Sequence, residues 1–168
     1  MAITVDIDNS SGSDEVPSSP TMRCWVTAAL KPHKTDAELS VKIVNETEMI
    51  SLNHQFRNRA YATNVLSFPA DIPDFIDIPL LGDIVICADV VNREALEQGK
   101  SPDAHWAHML VHGSLHLLGY DHIEDADAEI MEALETRIII TLGFPPPYAV
   151  DDSASIDPVT PSTRDNTQ

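Results

Sequence analysis

Cysteine is scarce: Cys24 and Cys87 are the only two, far apart and in no paired spacing. That removes both a disulfide framework and a cysteine-rich zinc site, so any metal must be held by histidine or carboxylate. Basic residues are also few, ten Lys and Arg against 27 Asp and Glu, for a net charge of -17 and a pI near 4.4. A uniformly basic nucleic-acid binder is excluded, and DNA is not an expected partner. No uncharged apolar run approaches the roughly 20 residues that cross a bilayer. The start, MAITVDIDNSSG, carries neither a basic leader nor an apolar stretch. A cytoplasmic protein with no membrane partner is the expectation. With 168 residues, 43% of them hydrophobic, the chain can bury one core but hardly two. We expect residues 1–148 to form one domain. Residues 149–168, polar and nearly free of large apolar side chains, read as a disordered acidic tail.

The charge is uneven. Residues 1–20 carry -4 and 145–168 carry -3, while 21–70 carry +2 and 71–144 carry -12. A polyanion would dock on the first half of the chain, although a charge run is commonly just a solvated face.

Alternation of polar and apolar residues predicts strands over 2–7, 38–44, 64–68 and 83–88. Helices are predicted over 22–30, 46–56, 89–98, 102–118 and 125–142, with loops at 8–20 and 69–79. On the second helix Met49, Ile50, Leu52 and Phe56 recur at helical spacing. On the last, Ile130, Met131, Leu134, Ile138 and Ile139 are expected to point inward. Ser101-Pro102 supplies an N-cap and first-turn proline for the fourth helix, and Gly119 suits a left-handed residue at its end.

Five of the seven histidines, His105, His108, His112, His116 and His122, fall within eighteen residues. No packing requirement demands this. His112 and His116 are i and i+4 on one helical face, so their imidazoles can share an ion. A break at Gly119 can turn the chain so that His122 returns toward them. Three imidazoles leave a fourth tetrahedral position open, as in catalytic rather than structural zinc sites. They would also suit nickel or copper. His105 and His108 lie on the same face and could bond a ligand or face solvent. Asp121 could orient an imidazole or cap the following turn. The spacing equals that of the metzincin peptidases, which place a glutamate general base directly after the first histidine. Gly113 stands there instead, which weakens a peptidase reading.

The run HGSLHLLGYDH resembles the YbeY family of metal-dependent, single-strand-specific endoribonucleases. Leu52-Asn53 with Phe56-Arg57, then Thr63 to Pro69, then Leu81 to Ile86 look like that family's blocks in the same order. Phe56 stands where the family more often has Tyr, a ring-preserving departure. The resemblance, from about Leu39 to Gly143, implies an α+β fold with a mixed four-stranded sheet packed with several helices, and one zinc ion per chain on His112, His116 and His122 of a central helix. It further implies that Arg57 is the arginine important for cleavage, which agrees with the need to neutralise charge developing on phosphate oxygens. A surface or salt-bridged role is its bland alternative. Arg59 is a candidate substrate-binding residue or another surface arginine. Asn64 and Ser67 are expected to cap and hydrogen-bond the strand. The implied function is zinc-dependent cleavage of single-stranded RNA in small-subunit (16S) rRNA 3′-end maturation and 70S ribosome quality control. Ribosomal RNA, the small ribosomal subunit and the GTPase Era would be partners. The alternatives are a zinc peptidase-like hydrolase and a non-catalytic ribosome-assembly factor.

Overall fold

The computed structural model describes residues 2–73, 75–120 and 125–148. The expectations for Asp121, His122 and the 149–168 tail fall outside them. In chain order the elements are β1 (Ile3–Asn9), α1 (Ser19–Leu30), β2 (Ala37–Val44), α2 (Glu46–Arg57), β3 (Val65–Pro69), β4 (Leu80–Cys87), α3 (Ala88–Gln98), α4 (Pro102–Leu117) and α5 (Asp125–Thr141). The strand order is β1-β2-β4-β3, with β1, β2 and β4 parallel and β3 antiparallel to β4. This is the mixed four-stranded sheet of an α+β protein. No helix among the described residues is long and apolar enough to cross a membrane.

Local chemistry explains the boundaries. Ser18 caps α1 by accepting from the Thr21 amide, and Pro20 sits in the first turn, so the helix starts before the predicted residue 22. Asn45 caps α2 through the Glu48 amide at 2.9 Å, with Glu46 and Glu48 complementing the helix dipole. Ser101 caps α4 as predicted. β4 begins earlier than residue 83, and it passes directly into α3, so Ala88 is helical rather than the end of a strand.

β4 is buried on both faces. Ile84 and Ile86 join the main core with α1 and α4, while Val85 and Cys87 pack with Val44, Met49, Leu66 and Val90 on the other side. Hence its apolar residues run nearly unbroken. α4 lies at the centre, burying Trp106, Leu110, Val111 and Leu115 against its neighbours. One inward expectation fails, that for Ile130, and helical spacing on α2 does not bring burial to all its apolar residues. On α5 the buried stripe is Met131, Glu135, Ile138 and Ile139, and Ile130, about 100° round the helix from Met131, is exposed. On α2 the stripe through Met49 and Asn53 leaves Ile50 and Phe56 exposed for the same geometric reason.

Gly82 joins β4 to β3 at a close approach: its φ is +140°, and a Cβ there would lie 2.2 Å from the Phe68 carbonyl oxygen. Gly82→Ala should lower unfolding free energy by about 3 kcal/mol or more in urea melts. Gly12→Ala, where a Cβ would meet nothing within 4 Å, should cost less than about half of that.

Candidate functional site

His105, His108, His112 and His116 form one stripe along α4, with successive ring centroids 6.3, 6.4 and 4.6 Å apart. The first three are buried, so their polar atoms need partners. His105 Nε2 lies 2.9 Å from a Glu94 carboxylate oxygen on α3, and Glu94 also accepts from Asn64 Nδ2 at 3.1 Å. His108 Nε2 lies 3.4 Å from Glu135 Oε1 and 3.2 Å from the Tyr148 hydroxyl. His105 and His108 therefore face neither solvent nor an open site; they join α4 to α3 and α5.

Glu135 is the centre of this arrangement. It is wholly buried, its Oε2 bonds His112 Nδ1, and its Oε1 accepts from Tyr148. Burial pushes its pKa up, but hydrogen bonds from His108 and His112 outweigh this and hold the carboxyl well below its usual range. Burial drives His108 the other way, lowering its pKa and keeping the ring neutral. An ionised carboxylate only accepts, so His112 Nδ1 carries the proton and donates it. In neutral His112 the lone pair is then on Nε2, which lies 3.1 Å from His116 Nε2.

That separation suits a shared ion. Two ligands of one tetrahedral ion with bonds near 2.0–2.1 Å stand about 3.3 Å apart. A carboxylate behind one imidazole is also the usual support of a metal-ligating histidine. His112 and His116 thus fit a zinc-type ion as a pair. Among the described residues no group of three or more His, Cys, Asp or Glu side chains converges on one point. The predicted third ligand, His122, is not among them.

Gly113 marks where α4 crosses the sheet. A Cβ there would sit 3.2 Å from both Ile84 Cγ2 and Ser67 Oγ. At the place where a metzincin keeps its general base, any side chain would press on Ile84 and Ser67, which would have to give by a few tenths of an ångström.

The Ser67 hydroxyl donates to the Gly113 carbonyl at 3.0 Å, and the Ser67 carbonyl accepts from Arg57 Nη2, also at 3.0 Å. One strand residue therefore bridges the arginine to the backbone beside His112. Arg57 is further held by the Phe56 carbonyl at 3.2 Å and by the Phe68 ring, 5.1 Å below its guanidinium carbon. It forms no salt bridge with a described residue and is exposed, so of its two bland alternatives the surface one fits its position. Arg59 Nη1 donates to the Tyr61 hydroxyl at 3.2 Å. Asn64 and Ser67 have the structural roles expected of them, Asn64 Oδ1 accepting from the Val65 amide at 2.7 Å.

Sequence reasoning missed Glu135, Tyr148 and Asn53. Glu135 had a signal, a charged residue in the apolar stripe of α5. Asn53, buried at the end of α2, donates to the Tyr61 carbonyl at 2.8 Å and folds the 58–61 turn back on the helix. Tyr148 follows three prolines and carries no local signal. A cleft of about 490 Å³ between residues 14–17 and the α3–α4 junction, lined by Asn92, Lys100 and Trp106, contains none of the predicted site residues.

Fold and site together define a class: an α+β protein whose central helix presents a carboxylate-backed histidine pair. The family model "Endoribonuclease YbeY" matches residues 6–143. Endoribonuclease YbeY of Pseudomonas syringae pv. tomato is 60% identical over 139 residues, covering 82% of this chain and 84% of the relative. The Pseudomonas putida (strain W619) protein of that name is 57% identical over 141 residues, 83% and 90% of the two chains. The solution structure of a Thermotoga maritima protein superimposes with a TM-score of 0.59 at 26% identity, covering 80% of this chain and 86% of that one. The chain belongs to the YbeY endoribonuclease family.

Acid should weaken this site first. Glu135 and His108 have pKa values below their usual 4.5 and 6.5, so the unfolded chain binds more protons than the folded one. The stability they contribute is complete at neutral pH and falls as pH drops, from about 6.5 for His108 and about 4.5 for Glu135. Urea unfolding of the metal-free protein between pH 7 and 3.5 should show this loss. In Glu135→Gln the fall below about pH 4.5 should be shallower than in the unaltered protein.

Proposed function

We propose that this protein is a zinc-dependent endoribonuclease that cuts single-stranded RNA during small-subunit (16S) rRNA 3′-end maturation and 70S ribosome quality control. In this reading His112, His116 and His122 hold one zinc ion per chain. The reaction class follows from membership in the YbeY endoribonuclease family. The single observation that carries the site is the His112–His116 pair, 3.1 Å between Nε2 atoms, with an ionised Glu135 behind it.

When bound, zinc would supply Lewis acidity toward a phosphoryl oxygen and make water more acidic. Everything else falls to the chain. Glu135 keeps the His112 proton on Nδ1 and the lone pair on Nε2. Arg57 spends two N–H groups on the Phe56 and Ser67 carbonyls, which fix the guanidinium plane. Its remaining donors can meet the non-bridging oxygens of a phosphodiester as charge builds on them. Arg59, two residues on, would bind a neighbouring phosphate.

The peptidase alternative gains little from the site, since Gly113 stands where a metzincin keeps its general base and a peptidase would not specifically need Arg57. The acidic balance of the chain is an objection to binding free RNA, and presentation of the RNA on a ribosomal particle would meet it. A small ribosomal subunit, with the GTPase Era as a further partner, would bring RNA to a cytoplasmic enzyme whose own cationic surface is small.

The test is cleavage of a single-stranded RNA bearing the mature 3′ end of small-subunit rRNA, with zinc content measured in parallel. Arg57→Ala should keep its fold and zinc and lose about 100-fold in rate. His112→Ala should lose both zinc and activity. Products should carry no 2′,3′-cyclic phosphate if water is the nucleophile. Inactive wild-type protein at full zinc occupancy would favour the assembly-factor alternative.

A further inference from the structure

Two stretches break the acidic pattern of this chain, 16–35 and 49–70, and only the second carries Arg57. Between Glu48 and Asp71 lie 22 residues with no Asp or Glu, carrying Arg57, Arg59 and His54 in a protein of net charge -17. In the fold this stretch includes the end of α2 and the following turn, and its side chains from His54 to Tyr61 are exposed. Two of those are large aromatics, Phe56 at 50% and Tyr61 at 51% exposure. Apolar surface of that size beside guanidinium groups is not explained by packing.

The aromatics are nonetheless held. Phe56 meets the Phe68 ring edge-on at a centroid distance of 5.1 Å, and Arg57 covers that ring at 5.1 Å. Tyr61 is fixed at its backbone by Asn53 and at its hydroxyl by Arg59. The turn itself is locked by Asn58, which takes a left-handed conformation at φ 58° and donates its amide to the end of α2. The order along the chain is aromatic, guanidinium, guanidinium, aromatic. Through Ser67, this surface is joined to the Gly113 carbonyl beside His112.

We infer that Phe56 and Tyr61 are base-stacking residues, which with Arg57 and Arg59 between them grip consecutive nucleotides of a single-stranded RNA next to the histidine pair. The inference rests on the RNA-cleaving reading above and adds the means of strand discrimination. Bases in a duplex are stacked on each other and closed to protein rings, whereas bases of a single strand can be splayed onto them. Rings stack on any base, so the grip carries little sequence preference. The occupant is a nucleic acid rather than a protein because this acid-free, cationic stretch of an acidic chain is the one tied through Ser67 to the histidine helix, and its charge complements phosphate.

The test measures binding apart from cleavage. Fluorescence anisotropy in chelator would follow a labelled single-stranded RNA octamer, and the same octamer with abasic riboses, against wild type, Phe56→Ala, Tyr61→Ala, Phe56→Tyr and Tyr61→Phe. Both rings are half exposed, so melting temperatures should stay near wild type. Each alanine variant should bind the octamer about tenfold more weakly. The abasic strand should bind wild type and variants alike, and the ring-preserving variants should bind as wild type does. In zinc-loaded steady-state cleavage the alanine variants should raise KM more than they lower kcat. Alanine variants that bind the octamer normally, or weaken on both strands equally, would overturn the stacking role while leaving the nuclease reading intact. So would alanine variants that lose self-association in sedimentation but keep RNA binding, which makes the patch a contact between copies. Wild-type protein that neither binds nor cuts a single strand would sink both readings together.

Discussion

A single buried carboxylate holds the working part of this protein together. Glu135 has no exposure to water, so its charge exists only because three groups meet it: His108, His112 and the Tyr148 hydroxyl. Removing the partners would strand a charge in the interior; removing the carboxylate would leave two imidazoles and a phenol competing for protons. The same contact therefore joins α5 and the segment after it to α4, and dictates which nitrogen of His112 can face His116. Structural cohesion and ligand chemistry are one interaction here, so neither can drift without the other.

The helices and strands were legible because their signals are local. Ser101-Pro102, Asn45 and Gly99 mark helix ends by side-chain chemistry within a few residues, and the α4 histidines share a face because the helical repeat requires it. Helix register against the core was less legible. Ile130 and Ile50 look inward by composition, yet each lies a third of a turn from the stripe that meets the sheet, and that choice depends on partners distant in sequence. The site divides in the same way. His112, His116, Arg57 and Asn53 stand in motifs, while Glu135 and Tyr148 act only through contacts across 23 and 13 residues. Gly113 was visible as a departure from a peptidase pattern, but its reason, the closeness of Ile84 and Ser67, appears only when α4 lies on the sheet.

Electrostatics divide the molecule between repulsion and capture. An overall charge of -17 holds polyanions off most of the surface, and the acid-free stretch from Met49 to Ala70 is an exception of the right sign. Its position follows from the fold: β3 lies at the edge of the sheet, α2 ends beside it, and Ser67 ties both to α4. A weak general affinity with one permissive face is a sound arrangement for an enzyme acting among abundant folded RNA, because contact elsewhere is discouraged by long-range charge.

The tie at the chain's far end also has a temporal side. Lys100 donates to the Pro147 carbonyl at 3.3 Å, and Tyr148 closes on Glu135 just beyond. Both contacts use residues that are synthesised after the five helices and four strands of the described residues. A nascent chain can thus build its sheet and lay down α4 while the carboxylate behind His112 still lacks its final hydrogen bond.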